Sequence, residues 1–199
     1  MNIGIDVDGV LLDTRQFMLE YGKRFFRREP VDPAGYTIEE MFGVSGMPVL
    51  LFGMRWFLPY YCRKYPPNPG AAEVYRELKD SGNMIWQITA RKFALNRSPL
   101  GRYSHRALEG WLSRNGFCYD RLLLVDEKRA AQEKLGCCRK HGIDIMIEDN
   151  PDTALTLAGN GIKVLLFDAP YNRETESENI VRVHNWDEAG RHLRGEKSL

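Results

Sequence analysis

The chain has 199 residues, the length of one domain or of a core carrying a small insertion. Hydrophobic residues make up 43% and charged residues 28%, which excludes a disordered chain, a collagen-like chain and a coiled coil. The 28 Lys and Arg balance 27 Asp and Glu to a net charge of +1, so no bulk attraction to nucleic acid polymers or to a membrane surface is expected.

Five short apolar runs read as buried strands of a parallel sheet: Ile3 to Val7, Met84 to Ile88, Leu122 to Val125, Ile143 to Ile147 and Ile162 to Phe167. Helical spacing fills the gaps between them. Ala71 to Ser81 stops at Gly82, Tyr103 to Asn115 at Gly116, and Glu127 to His141 at Gly142. A further helix starts at Pro151 and ends near Gly159, and the last runs from Trp186 to Leu193 after Asn185. Strand and helix in alternation predict a doubly wound α/β fold with a parallel sheet.

Residues 14–65 break this rhythm. They are rich in aromatics, Met and Arg, with helical pieces expected at Arg15–Arg28 and Val49–Arg63, and Pro66-Pro67-Asn68-Pro69-Gly70 marks the return to the regular pattern. Residues 1–13 and 66–199 are therefore expected to form the core, with 14–65 a small helical insertion after the first strand. No apolar run nears the ~18 residues of a spanning helix. The opening MNIGIDVDGV lacks the basic-then-apolar pattern of a secretory signal, so a cytoplasmic protein is expected. Cys62, Cys118, Cys137 and Cys138 form no C-x-x-C pair, and reduced thiols are expected rather than a zinc site.

Open α/β sheets bind ligands beyond the carboxyl ends of their strands. Here those ends carry Asp6 and Asp8, then Thr89, Ala90 and Arg91, then Glu148 and Asp149. Asp6 and Asp8 are two apart, so in extended backbone they leave on the same side, and Gly9 lets the chain turn away. Four carboxylates in one place repel one another without a cation, and hard oxygen ligands suit Mg²⁺.

Asp6-Val7-Asp8-Gly9-Val10 resembles motif I of the haloacid dehalogenase (HAD) superfamily, Thr89 the motif II hydroxyl, Lys134 the motif III lysine and Glu148-Asp149 the motif IV acidic pair. More narrowly, Ile88-Thr89-Ala90-Arg91, Ile147 to Pro151 and Phe167 to Asn172 are similar to the 5'(3')-deoxyribonucleotidases and bacterial nucleotidases. The resemblance implies a HAD-like Rossmannoid core with a type 1 cap. It implies Asp6 as nucleophile forming an aspartyl-phosphate, and Asp8 as acid and then base. Asp6, the Asp8 carbonyl and Asp149 would hold Mg²⁺, with Glu148 binding it directly or through water. Thr89, Ala90, Lys134 and Arg91 would bind the phosphoryl group, with Lys128 as the alternative lysine.

Several residues have plainer readings. Arg91 reaches the phosphate or pairs with a surface acid, Asp13 caps the following helix, and Tyr171, Asn172 and Arg173 form a surface loop. In the insertion, Phe17, Arg55 and Trp56 are candidate substrate contacts, as are Phe42, Met54 and Phe57, although most of these rings are expected to form a small core of their own. Lys23, Arg24, Arg27 and Arg28 read as a solvated helix face. The sequence departs from the eukaryotic deoxyribonucleotidases at two points: Thr14 stands where they carry a base-stacking Phe, and Ala90-Arg91 where they carry Ser-Pro.

The expected function is a Mg²⁺-dependent phosphomonoesterase for a small phosphorylated metabolite, nucleoside monophosphates being the first class. A sugar-phosphate phosphatase and a non-catalytic phospho-ligand or protein binding domain are the rivals, and assembly into a homo-oligomer stays open.

Overall fold

The apolar runs become strands because helices cover both faces of the sheet, which keeps most side chains of the central strands out of water. In the computed structural model, which describes residues 1–91 and 98–195, the strands are β1 (Asn2–Ile5), β2 (Met84–Ala90), β3 (Arg121–Val125), β4 (Ile145–Glu148), β5 (Lys163–Phe167) and β6 (Ile180–Val183). They form one all-parallel sheet in the order β3-β2-β1-β4-β5-β6. Alternate residues feed two separate cores. Ile3, Ile5, Ile85, Ile147, Leu165 and Phe167 face one side. Trp86, Ile88, Met146, Val164 and Leu166 face the other.

The first core is covered by α5 (Ala71–Asp80), α6 (Pro99–Arg114) and α9 (Trp186–Leu193), and the second by α7 (Ala130–His141) and α8 (Pro151–Ala158). Two boundaries differ from expectation for capping reasons. Helix α6 begins four residues before Tyr103, because the Ser98 side chain accepts from the Gly101 N–H and Pro99 occupies the first turn. The expected helix from Glu127 opens as a 3₁₀ turn over Glu127–Arg129, with Asp126 accepting from the Lys128 N–H, and becomes α-helical only at Ala130. Strand β6 has no clean apolar run to announce it, since Arg182 interrupts it.

Residues 14–65 hold α1 (Thr14–Phe26), α2 (Ile38–Phe42), α3 (Met47–Phe52), a π-helical stretch Gly53–Tyr61 containing Pro59, and α4 (Cys62–Lys64). Asp13 is the N-cap of α1, accepting from the Gln16 N–H at 2.7 Å. Thr37 and Glu40 form a reciprocal capping box on α2. The rings of Phe17, Tyr21, Phe52, Phe57, Tyr61 and Tyr65 pack against one another, with Phe17 at the centre. This cluster is continuous with the apolar face of the sheet. All four cysteines are free. No helix among the described residues is long and apolar enough to cross a membrane.

Candidate active site

The strand order reverses direction between β1 and β4, and a doubly wound sheet opens its ligand crevice at that point. Asp6 and Asp8 leave the end of β1, and Glu148 and Asp149 leave the end of β4 beside them. Pairing of the two strands continues one step past β1, where the Asp6 N–H donates to the Ile147 carbonyl at 3.0 Å. The chain then winds into a single turn in which Val7 O accepts from the N–H groups of Val10, Leu11 and Leu12. Gly9 makes the turn at φ +81°, packed so closely that a Cβ there would overlap the Asp149 carboxylate. Asn68 holds the turn from outside, its side chain donating to Val10 O at 2.7 Å and its N–H to Leu11 O at 2.8 Å. Trp186 Nε1 also donates to Val10 O.

Beneath this turn lies a buried charge cluster. Lys134 Nζ sits 2.9 Å from Asp6 Oδ2 and 2.7 Å from Glu148 Oε2. Carboxylate oxygens of Asp6, Glu148 and Asp149 lie within 4.8 Å of one another. Burial pushes the Glu148 carboxyl up to about 7, partly offset by Lys134. Burial likewise raises Asp6, and burial with the charges of Glu148 and Asp6 raises Asp149 well above the usual carboxylate range. For Lys134, burial works against the charged form, but Asp6 and Glu148 outweigh it and hold the ammonium charged. One cation among three carboxylates leaves the cluster short of positive charge. Asp6 Oδ1 and Asp149 Oδ1 are buried without a hydrogen-bond partner, as is Thr89 Oγ1 at the end of β2. This donor set of hard, unpartnered oxygens fits a divalent cation.

Asp8 is held differently. Arg91 grips it with both arms of the guanidinium, Nε to Oδ2 at 2.8 Å and Nη2 to Oδ1 at 2.9 Å. Tyr61 OH, arriving from the end of the π-helical stretch, donates to Asp8 Oδ1 at 2.6 Å. Arg91 is only 5% exposed. It therefore neither pairs with a surface acid nor spends its whole fork on a phosphate, although its buried Nη1 is unpartnered.

The cleft of about 560 Å³ over this cluster is lined by Asp6, Asp8, Ala90, Lys134, Glu148 and, from the insertion, Tyr36. Lys128 lies at the same cleft on the exposed 3₁₀ turn, while Lys134 alone of the two reaches the carboxylates. The insertion residues singled out from sequence are not brought there. Phe17 is fully buried among rings, with no surface to offer a substrate. Trp56 packs on Tyr21 and Tyr60, with the Arg55 guanidinium 5.0 Å from its ring centroid.

The reading of Tyr171 and Asn172 as surface loop is overturned. Tyr171 OH donates to Asp149 Oδ2, and its ring packs edge-on against Tyr36 at 4.9 Å. Asn172, 1% exposed, donates to the carbonyls of both Asp149 and Phe167 and accepts from the Ala169 N–H and from Arg182. It ties the end of β5 to the end of β4. Arg173 alone of the three is exposed. A Pro-Tyr-Asn triplet just past a strand end was the available signal, but nothing in it gives the direction of the side chains.

The fold is shared with solved phosphatases. A haloacid dehalogenase-like hydrolase from Streptococcus pneumoniae superposes with a TM-score of 0.64 at 15% identity, covering 96% of this chain and 97% of that one. A D,D-heptose 1,7-bisphosphate phosphatase from B. bronchiseptica, solved with magnesium and phosphate, gives 0.58 at 13% identity over 98% of this chain and 99% of that one. Among sequence relatives, a nucleotidase of Clostridium acetobutylicum is 28% identical over 94% of this chain and 91% of its own. YqfW of Bacillus subtilis, named as a candidate nucleotidase, is 35% identical over 95% and 91%. Residues 1–196 match the sequence model described as 5' nucleotidase, deoxy (pyrimidine), cytosolic type C protein, and the chain therefore belongs to this family, with the α/β fold of the HAD phosphatases.

Proposed function

We propose that the chain is a cytoplasmic, Mg²⁺-dependent phosphomonoesterase that works through an aspartyl-phosphate on Asp6 and takes nucleoside monophosphates as its substrate class. One observation carries this reading. At the switch point of the sheet, the carboxylates of Asp6 and Asp149, each with one buried unpartnered oxygen, cluster with Glu148 around the buried Lys134, and the end of the neighbouring β2 adds the unpartnered Thr89 Oγ1. No structural core needs that set of unsatisfied groups. Family membership and nucleotidase-named relatives support the substrate class.

Asp6, Asp149 and Glu148, with the Asp8 carbonyl, would hold the Mg²⁺. When bound, the ion supplies positive charge that lets a carboxylate approach a phosphate. The remaining work falls to side chains. A carboxylate oxygen of Asp6 attacks phosphorus, the ester P–O bond breaks, and Asp8 gives its proton to the leaving alkoxide. Water then attacks the phospho-Asp6, Asp8 takes the water proton, and Asp6 and inorganic phosphate separate. Thr89 Oγ1, Lys134 and Arg91 Nη1 donate to the phosphoryl oxygens as charge spreads over them. The insertion, proposed as a cap, contributes Tyr36 to the lining of the cleft, where it would help to exclude bulk water.

The test is phosphate release from nucleoside 5'- and 3'-monophosphates and sugar phosphates, in Mg²⁺ or EDTA, by the wild type and Asp6→Asn. Mg²⁺-dependent release, highest on nucleotides and absent in the variant, is expected. Release that survives Asp6→Asn would overturn the mechanism, and sugar phosphates ranking first would overturn the substrate class.

A further inference from the structure

Asp8 has four lone-pair directions, and three are already occupied. Tyr61 OH and Arg91 Nη2 take two on Oδ1, and Arg91 Nε takes one on Oδ2. Behind Tyr61 stands Thr14, whose Oγ1 lies 2.5 Å from the Tyr61 oxygen and accepts the Gly9 N–H at 2.8 Å. A carboxylate only accepts, so Tyr61 must donate to Asp8. Its oxygen then accepts from the Thr14 hydroxyl, whose own oxygen accepts from Gly9. The order of donation is fixed along the whole chain. It begins in the motif turn, passes through the start of α1 and the end of the π-helical stretch, and returns to the side chain of Asp8, the residue just before the one where it began. Tyr61 is fully buried, its ring stacked on Phe57 and under the Arg91 guanidinium at 5.9 Å. Such a hydroxyl has no rotamer freedom to point elsewhere. Local π-helical geometry is a recurrent way of delivering one side chain to a site.

We propose that Tyr61, aligned by Thr14, is the positioning residue for Asp8, and that it leaves Oδ2 as the oxygen that carries the transferred proton. The inference rests on the phosphomonoesterase reading and deepens it. It assigns a function to Thr14 at a position where sequence comparison only registered a missing aromatic ring.

The experiment compares kcat/KM, which reports through Asp6 phosphorylation, on p-nitrophenyl phosphate and on an alkyl phosphate of the proposed substrate class, the nucleoside 5'-monophosphate that is hydrolysed fastest. The nitrophenolate leaves without a proton, whereas the alkoxide needs one. Tyr61→Phe keeps the ring and removes only the hydroxyl. Its kcat/KM on the alkyl ester is expected to fall about 10–100-fold, a large part of what general acid catalysis supplies, against less than about threefold on the aryl ester. Thr14→Val should show the same split and Thr14→Ser should restore the wild-type ratio. This second pair decides the matter if Tyr61→Phe does not fold. Equal losses on both esters would overturn the positioning role while leaving the phosphatase reading intact. A wild type that hydrolyses neither ester would overturn both.

Discussion

Lys134→Met tests the charge cluster most directly. The substitution keeps an unbranched side chain one atom shorter and removes the only cation that touches Asp6 and Glu148 among the described residues. At 2.9 Å and 2.7 Å, each attraction amounts to about 6 kcal/mol at an effective dielectric of ~20. Most of that is cancelled by the cost of taking Lys134, 2% exposed, out of water. What the variant feels is the residue of that balance, together with two buried carboxylates left facing Asp149. Breaking a buried pair by deleting one partner costs about 3–5 kcal/mol, a third or more of the stability of a typical domain. That loss is expected in urea unfolding at about pH 8 in EDTA, and it should shrink when excess Mg²⁺ is added, because the ion replaces the missing positive charge. Phosphate release should fall by about 10²–10³, as for the loss of one donor to a charged transition state. A loss of stability below about 1 kcal/mol in EDTA would refute the reasoning, since it would mean that Lys134 does not hold buried charge on Asp6 and Glu148.

Other outcomes follow from the same geometry. In EDTA, the unfolding midpoint should rise as pH falls from about 8 to about 5. Glu148 at about 7, with Asp6 and Asp149 also raised, makes the folded chain bind more protons than the unfolded chain in this window, so stability increases on acidification. Saturating Mg²⁺ should flatten or reverse that trend, and a midpoint falling steadily below pH 7 in EDTA would contradict it. Gly9→Ala should abolish phosphate release and lower the melting temperature, because φ is +81° and the new methyl meets the Asp149 carboxylate. A variant with more than a tenth of wild-type activity would count against that packing. Asn172→Ala should cost about 2–3 kcal/mol by leaving the buried carbonyls of Asp149 and Phe167 without a donor. It should also raise the Mg²⁺ concentration needed for half-maximal activity, and an unchanged metal requirement would show that Asn172 only braces the loop.

What could be read from the sequence and what could not divide along a physical line. Asp6, Thr89, Glu148 and Asp149 stand at the ends of apolar runs, and a buried parallel strand is long enough and apolar enough to announce its own end. Once the strands are known, chain order places those residues together, whatever the side chains do. Helix α2 escaped because five residues are too few to show a period, although Thr37 and Glu40 carried the capping signal, and strand β6 because Arg182 breaks its apolar run. Phe17 misled because aromatic residues in a small insertion serve its packing first, and a ring buried among rings has no face left for a substrate.

Tyr61, Tyr171, Asn172 and the true partner of Arg91 were beyond reach for a different reason. Each contributes through the direction of one polar atom, and that direction is settled by tertiary contacts 22 to 83 residues away in sequence. The two groups divide the chemistry as well. In the proposed reaction the strand-end residues would supply the charges that meet phosphate and metal, and strand geometry suffices to place them. The groups from turns and the insertion decide which oxygen of Asp8 and of Asp149 stays free, by occupying the others. A sequence can vary the second group while preserving the first, which would change the leaving group accepted and leave the phosphoryl transfer itself in place. On that argument, the specificity of this enzyme is to be sought in Tyr36, Tyr61 and Tyr171, three hydroxyl-bearing rings at or beside the cleft, rather than in the aromatic cluster around Phe17.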